Sequence, residues 1–311
     1  MSACQVSIFS IHYAKICYYP SYYLYGDIMG SISNDHITAS FKSFGAELTS
    51  LKTSDGHEYL WQGHPDYWTG QSPLLFPIIG GLPEGAYEYD GVTYAMPNHG
   101  FARKMDWRVE SHEISSIIFT LESNEQTLTS YPFAFKLSVI YTVINSSLKV
   151  EYKVENLDRK NMPFQIGGHP AFNCPITDYK LVFEKEENSR RLLKEGLLTG
   201  ETAACLENTN TLYLTHSLFD NDALIFRDLK SHEISLLRKD GKGRKVKMKF
   251  PGFTHFGIWK KPKTDAPFIC LEPWFGVDST EEQTSDLTDK EGIIILSPCK
   301  TFSSAYYIEL I

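Results

Sequence analysis

From Ser147 to Glu155 the chain reads SLKVEYKVE, with Leu148, Val150, Tyr152 and Val154 alternating with Lys149, Glu151, Lys153 and Glu155. A period of two puts the apolar set on one face, as in a half-buried strand. The run before it, FKLSVIYTVI, is β-branched and aromatic, and Asn145-Ser146-Ser147 supplies turn chemistry, so the two are expected to pair as an antiparallel hairpin. Similar runs recur at SSIIFTL, YKLVFE, DALIFRDL, HEISLL, HFGIWK, PFICLE, GIIILS and SAYYIEL, separated by Asn, Asp, Gly, Ser or Pro. Helix signals are few. The acidic stretch 278–289 has room for one short helix with an Asp or Ser cap. Many short strands without alternating helices predict an all-β sandwich or barrel. No Pro-, Gly- or Ser-rich linker divides the chain, so residues 29–311 read as a single domain.

Residues 1–28 break the pattern. They are rich in Tyr, Cys and Ile but hold no steady period, and Ser7, Ser10, His12 and Lys15 interrupt any apolar run a secretory signal would need. Alternation begins directly after Met29, which makes Met29 an alternative start and leaves the first 28 residues as an extension without assigned function. Composition narrows the classes further. Lys plus Arg is 30 against 38 Asp plus Glu, a net charge of −8, which argues against a nucleic-acid partner. No stretch reaches the ~18–20 apolar residues of a membrane span. The six cysteines are scattered without a Cys-x-x-Cys pair, as expected of reduced thiols in a cytoplasmic protein. The most basic stretch, 238–250, reads as a solvated hairpin, because Asp240-Gly241 is a turn signal and Val246, Met248 and Phe250 alternate with lysines. Aromatics make up 14% of the chain, which suits strands and also stacking platforms.

Four segments fit surface strands poorly: FPIIGG (76–81), NHGFAR (98–103), QIGGHPAFN (165–173) and CLEPWFG (270–276). Each sets one or two polar groups in an apolar or aromatic run beside Gly or Pro, where backbone can approach a ligand and the element is stiffened. His169, between Gly-Gly and Pro, is expected to be extended at a strand end. Alone it reads more readily as a satisfied structural histidine than as a catalyst. Glu272 is flanked by apolar residues on both sides, a costly place for a carboxylate unless it is paired or functional. His99 and Arg103 would share a face if they lay on a strand, although an ordinary ion pair accounts for Arg103 equally well. Metal-ligand spacings, Walker and dinucleotide fingerprints and a nucleophile elbow are absent from the sequence.

Taken together and in order, LWQGHPDYW, SPLLFPIIG, NHGFAR, GGHPAFN and LEPWFG resemble the aldose 1-epimerase (galactose mutarotase-like) family, and most of all its LacX-like branch. The resemblance runs from about Met29 to the C-terminus. It implies a large antiparallel β-sandwich with a sugar bound in an open cleft, no cofactor and no metal, and a monomer or homodimer. It places the catalytic pair at His169 and Glu272, and substrate-holding positions at His99, Arg103, Asp222 and Gln165. One departure stands out: the family often carries Arg or Lys just after the FPIIG-like run, where this chain has Gly81, with the carboxylate Glu84 following. The leading expectation is therefore an epimerase of a free hexose. A hexose-6-phosphate 1-epimerase, a sugar-binding module without turnover and a glycoside hydrolase using Asp222 as a second carboxylate rank behind it.

Overall fold

The computed structural model describes residues 29–311. The alternation that marked the first hairpin is kept: Leu148, Val150, Tyr152 and Val154 are buried, and Ser147–Asn156 pairs with Phe135–Ile144 in the register Ser147↔Ile144. Asn145 turns the chain with φ 51°, which Asn tolerates better than most residues. On the outer face the charges pair along the strand, Lys149 with Glu151 at 2.6 Å and Lys153 with Glu155 at 3.0 Å. Each of the other runs read as strands forms one. The basic hairpin also takes its expected form, with Val246, Met248 and Phe250 buried and Lys247 bonded to Glu233.

Among the described residues, fifteen strands join one antiparallel sheet. From one edge its order runs Leu74–Leu75, Ile166–Gly168, Phe268–Phe275, His255–Trp259, Leu224–Arg227 and Tyr179–Lys194. It continues through Glu233–Arg238, Val246–Lys249, Thr301–Leu310 and the first hairpin to Arg108–His112. A three-stranded sheet (29–53) packs on the apolar side, where Phe41 meets Phe119 and Tyr141. Among the described residues, helix is confined to short turns. In the acidic stretch it shrinks to Leu287–Asp289, where the Asp286 side chain accepts from the Thr288 N–H at 2.8 Å. No helix among the described residues is long and apolar enough to cross a membrane. The N-terminal segment 1–28 lies outside the described residues.

Two features of this sheet place the candidate site. The first is a notch for Trp274. On its two sides the neighbouring strands present Gly167 and Gly257, where an added Cβ would fall 2.5 and 2.6 Å from indole carbons. Any larger residue would push the ring out of the sheet surface and with it the strand that carries Glu272. The second is the long hairpin Tyr179–Lys194/Leu197–Tyr213, turned by Glu195 (φ 52°) and Gly196 (φ 80°). Positive φ at both central residues suits a two-residue turn whose twist matches its strands. Its tip comes to rest over Gly81, where a Cβ would lie 3.0 Å from the Gly196 carbonyl oxygen and 3.3 Å from Leu197.

Candidate active site

His169 follows the strand Ile166–Gly168 and precedes Pro170, extended at a strand end as its neighbours predict. Its N–H donates to the Pro73 carbonyl at 3.1 Å. Glu272 lies mid-strand in Phe268–Phe275, opposite Gly257. The two side chains meet: His169 Nε2 is 3.1 Å from Glu272 Oε2, and the residues are only 7% and 1% exposed. Trp68 and Trp259 pack on the imidazole, at 5.1 and 5.6 Å between ring centres.

Burial works on the two groups in opposite senses, because each disfavours its own charge when water is removed. It lifts the Glu272 carboxyl well above the usual carboxylate range; Asp278 and Asp222 push the same way, against the pull of Arg103. It depresses His169 to about 3, so this histidine does not sit near 6.5 as its type alone suggests. In the resting pair the proton therefore belongs to Glu272, and His169 is neutral. Cys270, two residues back on the same strand, brings its thiol within 4.8 Å of both groups. Burial, reinforced by Glu272, raises that thiol well above its ordinary value, which keeps it protonated and a poor metal ligand.

Above the pair opens a cavity of about 290 Å³, walled in part by His99, Arg103, Asp222 and Asp278. His99 and Arg103 reach it from a turn rather than from a strand. His99 takes φ 62°, and Arg103 sits in the single 3₁₀ turn Ala102–Lys104. The Gly80 N–H donates to His99 Nδ1 at 2.9 Å, so the neutral ring carries its hydrogen on Nε2 and offers a donor there. Burial, followed by the fields of His169 and Arg103, lowers the His99 pKa well below its ordinary value. Arg103 donates to the Asn98 carbonyl at 2.7 Å, while its Nε is buried without a partner among the described residues. Asp222 enters from a left-handed position, φ 76°, just before Leu224–Arg227.

Gln165 does not reach the cavity. It is fully buried, its Oε1 accepting from the Ile79 N–H at 2.8 Å and its Nε2 donating to the Glu291 carbonyl at 2.6 Å. An amide can clamp two backbone segments at once because it both donates and accepts. Here it ties the FPIIGG loop to the segment after the last 3₁₀ turn. Asp278 was hidden in the acidic stretch and belongs instead to the cavity wall, accepting from the Gly81 N–H at 2.9 Å. Burial raises its pKa against the pull of Lys290, which lies buried behind it and is itself lowered by burial to about 8. A cation does stand near Gly81, since Lys290 Nζ donates to the Gly81 carbonyl at 3.4 Å and to Ser279 Oγ at 2.9 Å, but it is not part of the cavity wall. Glu84 lines a separate depression, and Arg244 of the basic hairpin is held by Asp55.

A buried acid–base pair under a pocket with aromatic walls and several polar groups is an arrangement for moving protons on a small polyol. Trp68 and Trp259 add flat apolar surface that the sequence showed only as general aromatic richness.

Comparison with known proteins agrees with this architecture. The profile of the family described as Aldose 1-epimerase matches residues 30–292. Protein LacX of Lactococcus lactis subsp. lactis, in its plasmid form, is 37% identical over 297 residues, which is 90% of this chain and 98% of that protein. The structure of a galactose mutarotase related enzyme from Lactobacillus acidophilus superposes with a TM-score of 0.87 at 33% identity, covering 91% of this chain and 97% of that one. A galactose mutarotase-like protein from Lactobacillus casei gives 0.86 at 32% identity, over 91% and 100% of the two chains. With a profile match over most of its length, a LacX relative of the same extent and the same β architecture, this chain belongs to the aldose 1-epimerase family.

Proposed function

We propose that this carbohydrate epimerase interconverts the α and β anomers of a free hexose, with His169 and Glu272 as its acid–base pair. The observation that carries the reading is the 3.1 Å contact between the two groups at the cavity floor, where burial pushes their proton affinities apart. Anomer exchange requires the C1 hydroxyl to lose a proton and the ring oxygen to gain one. The C1–C2 bond of the open aldehyde then rotates and the ring closes on the other face. Two groups sharing one proton suffice for the whole cycle. From the resting pair the proton passes from Glu272 Oε2 to His169 Nε2. The C1 hydroxyl, once it donates to Glu272, and the nearby Arg103 both favour that ionised carboxylate. Glu272 then takes the hydroxyl proton while His169 protonates the ring oxygen. That leaves the pair in its resting form, poised to close the ring by the reverse transfers. His99, Arg103 and Asp222 hold the remaining hydroxyls.

A second reading has one observation in its favour: Arg103, with its unpartnered Nε, and Lys261 both border the cavity, as a 6-phosphate would require. Against it stand Asp222 and Asp278 in the same walls, and the hairpin tip over Gly81 where the family often has a cation.

Three outcomes are expected. Glu272→Gln and His169→Asn each lower kcat for α-D-glucose, followed by polarimetry or NMR, by roughly 10² to 10⁴ with unchanged circular dichroism. A variant keeping more than about a tenth of wild-type kcat would remove that residue from the mechanism. The pH profile is the second test. Activity needs one proton on the pair, and with His169 held near 3 a second proton enters only in strong acid. The coupled pair, rather than either residue, sets the limbs. The acidic limb of kcat/KM is therefore expected well below 6.5, and a fall in activity centred near 6.5 would contradict the assignment. Third, kcat/KM for glucose should exceed that for glucose 6-phosphate. Two missing phosphate contacts forfeit roughly two to four powers of ten, at about 1.5 to 3 kcal/mol each. A strong preference for the phosphate ester would favour the second reading and make Arg103 its clamp.

A further inference from the structure

The cavity wall includes Leu193 and Ala223, and these two residues also border a second, smaller depression that continues to Arg190 and Arg191. The same two arginines wall an open hollow of about 370 Å³ completed by Gly200, Thr202, Arg227 and Asp228. Strand pairing explains the convergence. Arg191 stands opposite Thr202 on one side and Ile225 on the other, and Arg227 follows Ile225 by two residues on the same strand. Residues two apart on a strand share a face. Arg191 and Arg227 thus share a face, and Arg190, the preceding residue on its strand, borders the same hollow, which Leu193 and Ala223 separate from the candidate pair.

Part of this cluster is structural. Arg191 Nη1 and Arg227 Nη1 lie 2.8 and 3.2 Å from the same Glu291 oxygen, which His255 also approaches at 3.3 Å, and Arg227 Nε is 3.1 Å from Asp228. Those contacts staple the long hairpin to the sheet. They do not account for Arg190, whose Nη1 donates only to the Leu218 carbonyl at 3.3 Å and whose Nε is buried without a partner among the described residues. Three guanidinium groups against two carboxylates leave the hollow with a positive charge in excess. Arg227 is half exposed, so a ligand in the hollow can compete for its guanidinium with Glu291 and Asp228.

We propose that this arginine hollow receives a phosphate monoester carried by the aldose beyond its first ring, so that the substrates extend from free hexoses to phosphorylated oligosaccharides whose unphosphorylated reducing-end ring occupies the cavity. The proposal rests on the epimerase reading. With C1 of a pyranose at the pair, an anion on that ring faces Asp222 and Asp278 in the cavity walls. One on a second ring clears the Leu193–Ala223 sill and reaches planar donors suited to bidentate binding of phosphate oxygens.

The test compares kcat/KM for anomer exchange of maltose and maltose 6′-phosphate in the wild type and in an Arg190→Gln/Arg227→Gln variant, with glucose as the control. The wild type should prefer the phosphate ester by about tenfold or more, the worth of one charge-assisted contact. The variant should lose that preference while turning over glucose at the wild-type rate, which also shows that its cavity is intact. Equal values for the two disaccharides in the wild type, or a preference that survives in the variant, would overturn the proposal. If wild type does not accelerate glucose exchange, the epimerase reading itself fails. Calorimetric titration with maltose 6′-phosphate then decides the hollow alone: binding at least tenfold weaker in the variant supports it, and equal affinity refutes it.

Discussion

The cost of removing a carboxyl and an imidazole from water governs this structure. Each prefers to be neutral when buried, and placed 3.1 Å apart they can satisfy that preference together with a single proton. A pair of this kind is poised rather than fixed. Burial favours the acid and the neutral base, and a ligand that stabilises the carboxylate shifts the balance toward the ion pair. Everything around the pair either enforces its burial or sets the balance between its two forms.

Burial is enforced by aromatic rings, and the rings need room in the sheet. Trp274 is admitted by glycines on both neighbouring strands, while Trp68 and Trp259 close over His169. The balance is set by charge. Asp278 and Asp222 raise the proton affinity of Glu272 and Arg103 lowers it. Gln165 acts at one remove, by fixing the loop whose Gly80 N–H orients His99. Scaffold and electrostatics are thus parts of one arrangement, in which backbone clamps decide where each charge stands.

Much of the fold could be read from period alone, because a one-residue slip would turn buried Leu148, Val150, Tyr152 and Val154 to solvent. His99, Arg103, His169 and Glu272 stood out as polar groups set in apolar runs and Asp222 came only from the family resemblance, and the five meet around one cavity. What sequence could not supply was tertiary context. Gln165 has the same neighbours whether it faces a sugar or two backbone segments, and only the approach of 277–291 decides between them. Asp278 looked like part of a charged helix because its partners, Gly81 and Lys290, are distant or fall outside any periodic pattern. His169 has an ordinary proton affinity in isolation, and the depression comes from rings that only the fold brings to it. The arginine hollow was invisible for the same reason, since Arg190, Arg191 and Arg227 are ordinary strand residues until the long hairpin folds over.

The central claim is that the pair holds one proton and that, without ligand, it rests on Glu272. Infrared difference spectroscopy of the wild type against Glu272→Gln, near neutral pH and with ¹³C-labelled glutamate, reads this directly. The account predicts that the wild type carries the carbonyl stretch of a protonated carboxylic acid, absent from the variant and weakened when a hexose is bound. A band pair belonging only to an ionised carboxylate in the ligand-free protein would contradict it.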